Sequence, residues 1–209
     1  MARRPITPER MLDNVLDLVA RQGWSDVGLT AMATAAEVPL GTFLRHYPSR
    51  GAVMNAFAHK VDLAMLAATE QVTEGESARD RLFEALMRRF DAMRPDKEAA
   101  RAMVRDLSRR PLRAVCRSPR IACSMALTLE AAGLGASGLQ GLVRIQGLAL
   151  IYLDTLRVWL DDDSEDMGKT MAALDRRLSQ ADRTIATLCR RPRGRASATS
   201  RGGSEPKPA

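Results

Sequence analysis

Residues 23–50, GWSDVGLTAMATAAEVPLGTFLRHYPSR, decide the fold. Leu29, Met32, Ala33 and Ala36 recur at helical spacing, so a short helix with one apolar face is expected over 29–36. Glu37-Val38-Pro39 then makes a tight turn, and Pro39 sets φ for a new helix without offering a capping side chain. That second helix is brief, Leu40 to His46, because Pro48 stops it. Ser49 can cap a longer helix reaching about Val72, with Val53, Phe57, Val61, Ala64 and Met65 on one side. Upstream, Thr7 can cap a helix ending at Gln22, Pro8 suits its first turn, and Met11, Leu12, Val15, Leu16 and Val19 form its apolar stripe. Gly23 ends it. Two short helices joined by a tight turn and braced by a longer first helix are the layout of a helix-turn-helix.

The pattern stays helical downstream. Helices are expected over 79–93, 96–109, 120–132, 139–160 and 165–190, with Pro95, Pro111, Ser118-Pro119 and the Gly-rich stretch 133–138 as boundaries. Asp161-Asp162-Asp163 breaks the chain before the last helix, with Ser164 as its cap; carboxylates there suit the positive end of the helix dipole. The run lacks the spaced oxygen ligands and glycine of a calcium loop. No run of alternating β-branched residues predicts a sheet, so the chain reads as all-α.

Apolar residues make up 45% of the 209 and aromatic residues 4%. The 139–160 stretch is apolar but contains Arg144, Asp154 and Arg157, which marks a buried helix rather than a membrane span. No signal segment opens the chain, and three widely spaced cysteines (Cys116, Cys123, Cys189) fit a reducing compartment, so a cytoplasmic protein is expected. Cys116 and Cys123 read as buried or inert. The formal net charge is +7, but the tail from Arg190 onward holds six cations and one acid in a Gly/Ser/Pro-rich segment, which reads as disordered. Residues 1–60 carry seven cations against five acids, so charge alone does not argue for nucleic acid. Two histidines thirteen residues apart, with no Cys/His metal spacing, no Gly-x-Ser-x-Gly and no phosphate loop, leave enzyme readings poor, and no metal or cofactor is expected.

Read together, Gly23-Trp24, Leu29, Met32-Ala33, Ala36, Val38, Gly41-Thr42-Phe43 and His46-Tyr47-Pro48-Ser49-Arg50 resemble the signature of the TetR family of transcriptional regulators. The resemblance spans about residues 7–58, and the helix layout extends it loosely across the body. It implies a TetR-like fold: a helix-turn-helix DNA-binding domain (1–60), a helical ligand-binding and dimerisation domain (61–190) and a basic tail (191–209). Leu40, Gly41, Thr42, Arg45, His46, Tyr47 and Arg50 would then contact phosphates or base edges, with Arg3 and Arg4 as an arm. The chain departs from the family pattern at Glu37, where members usually have Gly, and at Gly28, Pro39, Leu40 and Leu44, where caps and polar contacts are usual. Leu40 and Leu44 either fill the core or face something other than DNA.

A second resemblance begins near Leu148. Ile151-Tyr152, Trp159-Leu160, Asp162, Ser164, Asp166, Thr170, Leu174-Asp175 and Arg177-Leu178 resemble the C-terminal signature of the ubiquinone-biosynthesis accessory family, a TetR-fold family without a DNA-binding role that holds a lipid or quinone precursor. Two functions follow. The first is a homodimeric regulator, paired through helices 139–160 and 165–190. It binds a palindromic operator in duplex DNA and acts as a repressor released by a small apolar ligand. The alternative is a lipid- or quinone-binding accessory protein that reads no DNA. In either case Phe83, Met87, Phe90, Met103, Leu107, Met125 and Leu129 are the candidate pocket lining, since Met adapts to varied apolar shapes, although residues at such spacing also serve as plain core.

Overall fold

The computed structural model describes residues 6–67, 76–109 and 111–189, without the side chains of 107–109, 111–118 and 185–189. Arg3 and Arg4, the far end of the helix expected to reach Val72, the side chains of Leu107, Cys116 and Cys189, and the basic tail lie outside the described residues. Those described form nine α-helices and one 3-10 turn, with no strand among them. In α1 (Pro8–Gln22), the Thr7 Oγ accepts the Arg10 N–H and Glu9 occupies the first turn. Gly23, at φ 86°, donates its N–H to the Val19 carbonyl at 2.9 Å and closes the helix. The head consists of α1 with α2 (Leu29–Ala35), α3 (Leu40–His46) and the start of α4 (Arg50–Ala67). Val15, Val19, Met32, Ala33, Ala36, Phe43 and Val53 are its buried centre. Ala64 is exposed, so the apolar face of α4 is carried by Val53, Phe57, Val61 and Met65.

The turn between α2 and α3 explains the glycine usual at position 37. Glu37 sits at φ 56°, in the left-handed region where a Cβ is strained. Its N–H donates to the Thr34 carbonyl and the next N–H, of Val38, reaches back to Ala33, so the conformation closes α2 and cannot be relaxed locally.

The body contains α5 (Ala78–Met93), a 3-10 turn (Arg94–Asp96), α6 (Lys97–Arg109), α7 (Pro111–Ala131), α8 (Gly138–Leu160) and α9 (Gly168–Cys189). α7 corrects the expected boundary at Ser118-Pro119, because the helix continues through Pro119. Proline there removes one backbone hydrogen bond, which the packing of α7 against α4, α5, α6 and α8 offsets. α6 packs on α1, and the buried side chains of head and body form one continuous core.

The last helix also starts later than its acidic entrance suggested. Ser164 is not its cap, and α9 begins at Gly168, after Met167 at φ 53°. The link is organised by Asp162, which is 2% exposed. One carboxylate oxygen accepts the Ser164 hydroxyl (2.5 Å) and N–H (3.3 Å); the other accepts the Thr170 hydroxyl (2.7 Å) and N–H (2.8 Å). Burial alone would raise the pKa of this group, but the hydrogen bonds from Ser164 and Thr170 outweigh it and hold the carboxyl well below the usual range. Cations clamp the turn from outside. Lys97 Nζ donates to the Asp162 carbonyl at 2.5 Å, Arg101 to the Leu160 carbonyl, and Arg94 to the Glu165 carbonyl.

Two outcomes test this account. Glu37→Gly, by removing the left-handed strain, is expected to stabilise the fold by about 1 kcal/mol in urea titration; an unchanged or lower midpoint contradicts the strain. Asp162→Ala leaves the Thr170 and Ser164 donors without their acceptor and is expected to cost about 2 kcal/mol at neutral pH. Because the folded-state pKa is depressed, that cost is fully present above the unfolded carboxyl pKa of about 3.9 and shrinks as pH falls below it. A cost that holds constant down to pH 3 would refute the role of the charged carboxylate.

Candidate functional site

The three-helix head is held together in part by residues that the family resemblance counts among its contacts. Tyr47 is 6% exposed and its hydroxyl donates to the Pro8 carbonyl at 2.7 Å, tying the end of α3 to the start of α1. Burial, with the Glu9 and Asp13 carboxylates, pushes its pKa up, which keeps the phenol a protonated donor. Arg50 lies over the Trp24 ring at 4.7 Å and donates to the Trp24 carbonyl, fastening α4 to the turn between α1 and α2. Tyr47 and Arg50 therefore brace the head; their functional groups are engaged within it.

What faces outward on α3 is Leu40, Gly41, Arg45 and His46, with Thr42 and Leu44 half-buried. Arg45 donates to the Thr42 hydroxyl at 3.1 Å, which aligns the guanidinium along the helix. Gly41 has open space where a Cβ would stand. Leu40 is 40% exposed, so it does not fill the core. A short helix offering a guanidinium, an imidazole, a hydroxyl and one apolar group from a rigid three-helix frame has the dimensions and chemistry for a major groove.

Of the seven residues expected to line a pocket in the body, six have described side chains. Phe90, Met103, Met125 and Leu129 are buried in the common core, and Phe83 and Met87 pack half-buried against it. Phe90 stacks on Tyr152 and on Trp159, with ring centroids 5.7 and 5.9 Å apart.

Sequence reasoning missed the charges among them. Asp62 on α4 is 1% exposed and shares its carboxylate between two guanidinium groups, Arg89 of α5 at 2.5 Å and Arg120 of α7. Ser124 donates to the same carboxylate at 3.1 Å. The Arg89 guanidinium lies 5.2 Å above the Tyr152 ring. Burial works against its charge, but Tyr152 and Asp62 outweigh that and hold its pKa above the ordinary arginine value. A signal was present: Arg89 follows the buried Leu86 by three residues, and Asp62 precedes the buried Met65 by three, so both occupy inward positions on their helices. Cys123 corrects another expectation, since it is exposed rather than buried.

Comparison with known proteins gives three findings. The COQ9 family model matches residues 144–184, a minority of the chain, running from within α8 to within α9. No curated protein matches the sequence. Among solved structures, the TetR transcriptional regulator from Nitrosomonas europaea aligns with a TM-score of 0.68 at 22% identity, over 83% of this chain and 97% of that one. A TetR transcriptional regulator from a Rhodococcus species aligns at 0.62 with 19% identity, over 82% and 93%. A TetR variant from Acinetobacter baumannii in complex with minocycline aligns at 0.55 with 14% identity, over 86% and 98%. The chain thus has the fold of the TetR transcriptional regulators, and its C-terminal segment resembles COQ9.

Proposed function

We propose that the chain is a homodimeric, DNA-binding regulator of transcription, a repressor released by a small ligand held in the body. The observation that carries this reading is the outward face of α3, where Leu40, Gly41, Arg45 and His46 stand exposed on a head that Tyr47 and Arg50 brace from within. In this reading residues 1–60 bind DNA, residues 61–190 bind ligand and dimerise, and the tail after 190 adds sequence-independent attraction to phosphates. The minocycline complex named above is a precedent for a small molecule in a protein of this fold. A ligand releases the operator only by binding better to one spacing of the two heads than to the other.

Support for the dimer is the surface of α8. Leu139, Leu142, Val143 and Leu150 are exposed, Leu139 by 79% and Leu150 by 71%, on a helix whose other side packs on α7 and α9; Met171 of α9 is also exposed. Such an apolar helix face is what two copies would cover in a four-helix interface. A second reading, the lipid- or quinone-holding accessory protein, draws on the COQ9 match and the exposed Leu40.

Selection of fragments from random duplex DNA at moderate salt is expected to recover a palindromic motif. Arg45→Ala should then weaken binding to it about tenfold, as loss of one base or phosphate contact does, without altering helicity or dimerisation. Recovery of no motif would transfer the weight to the accessory reading, and unchanged affinity in the variant would remove Arg45 from the contact set. Leu150→Asp is expected to shift the protein from dimer to monomer in sedimentation at micromolar concentration; a variant that stays dimeric would remove this face of α8 from the interface.

A further inference from the structure

The ionic cluster where α4, α5 and α7 meet holds, among the described residues, more positive charge than its one acid balances. Asp62 supplies one carboxylate to Arg89 and Arg120, so the cluster carries a surplus of one positive charge, in a place where unpaired charge is costly. Its hydrogen-bonding capacity is also unspent. The Nε atoms of Arg89 and Arg120 are buried with no acceptor among the described residues, and Arg89 as a whole is 3% exposed. One edge of the cluster reaches water, since the Arg120 side chain is 23% exposed against 1% for Asp62. The other side is apolar, with Tyr152 beneath the Arg89 guanidinium and Phe90 stacked on Tyr152.

The geometry points to a carboxylate-binding site. The ligand of the body is an amphipathic acid whose carboxylate is held by Arg89 and Arg120, and whose apolar part lies toward Tyr152 and Phe90. Guanidinium groups pair with carboxylates through parallel N–H donors, and two of them already converge here on the oxygens of Asp62. Asp62 is the internal counter-ion that holds the pair in place while no ligand is present, and a second carboxylate cancels the surplus charge. A neutral apolar ligand would leave both the charge and the Nε donors as they are. The inference rests on the reading that the body holds a small molecule, and it specifies that molecule's class.

The test is direct binding to the full chain of a fluorescent fatty acid and of the alcohol with the same chain and fluorophore, followed by displacement with a fatty acid and with an aromatic acid of similar size. The acid is expected to bind at least tenfold more tightly than the alcohol. Arg120→Gln, at a partly exposed position that leaves the Asp62–Arg89 pair intact, should abolish most of that preference while the alcohol binds as before. The more effective competitor tells an acyl from an aromatic ligand. If acid and alcohol bind equally, the carboxylate site is overturned and the body remains a neutral apolar ligand site. A preference for the acid that survives in Arg120→Gln overturns the assignment to this cluster. If no acid and no alcohol binds, the carboxylate site falls together with the ligand reading on which it rests.

Discussion

A carboxylate taken out of water must be met by charge or hydrogen bonds, and how Asp62 is met decides how the two halves of this molecule are joined. Asp62 stands on α4, the helix that begins in the head at Arg50 and ends in the body. Its partners come from α5 and α7, so three helices are tied at one point that none can leave without stranding a buried charge. Replacing such a cluster with apolar side chains is often neutral or stabilising, so stability alone does not account for it. What the charges add is register, since an apolar α4 could slide or rotate against its neighbours at small cost, whereas a carboxylate shared between two guanidinium groups cannot.

A second set of polar contacts couples the rest of the frame. Lys60, one turn from the exit of the head core on α4, reaches both Asp13 of α1 and Asp96 of the 3-10 turn at 2.8 Å. Ser25, in the turn after α1, donates to Asp106 of α6. α6 therefore touches the head at one side, and through Lys97 and Arg101 it holds the turn between α8 and α9 at the other. Under the proposed function, this helix is the element whose position the ligand and the operator would both bias, because it meets the head and the dimer helices directly. Exposed ion pairs, such as those of Lys97 and Arg101 with Asp163, contribute little energy singly, but the same two side chains also donate to carbonyls at the end of α8, which need donors whatever the salt.

The sequence made the architecture legible and misassigned parts of the chemistry, for reasons tied to particular residues. The bounds of α3 follow from Pro39 and Pro48, and α1 from Thr7, Pro8 and Gly23, because proline and glycine act through their own backbones and the Thr7 hydroxyl through a bond to Arg10 three residues on. Pro119 failed as a boundary because its effect is local and the packing of α7 is not. Tyr47 and Arg50 stand among the contacts that the resemblance implies, and only the fold reveals that the phenol meets the Pro8 carbonyl and the guanidinium the Trp24 carbonyl. The ionic cluster was passed over because Asp62, Arg89 and Arg120 are separated by dozens of residues, and each taken alone looks like one more charge on a helix.

The COQ9 resemblance illustrates how a sequence match can report a shape instead of a site. Within residues 144–184 the matching polar residues have structural partners: Asp162 with Ser164 and Thr170, and Arg177 with Asp154. Asp175 meets Arg79 of α5. These contacts set the turn from α8 into α9 and the docking of α9 on the body, which any protein needs if its last two helices pair in this way. The residues that would distinguish a DNA reader from a lipid carrier lie elsewhere, on the outward face of α3. A fold element shared over this segment is thus compatible with both functions, and the choice between them rests on whether the exposed Leu40 and Arg45 of α3 meet base edges.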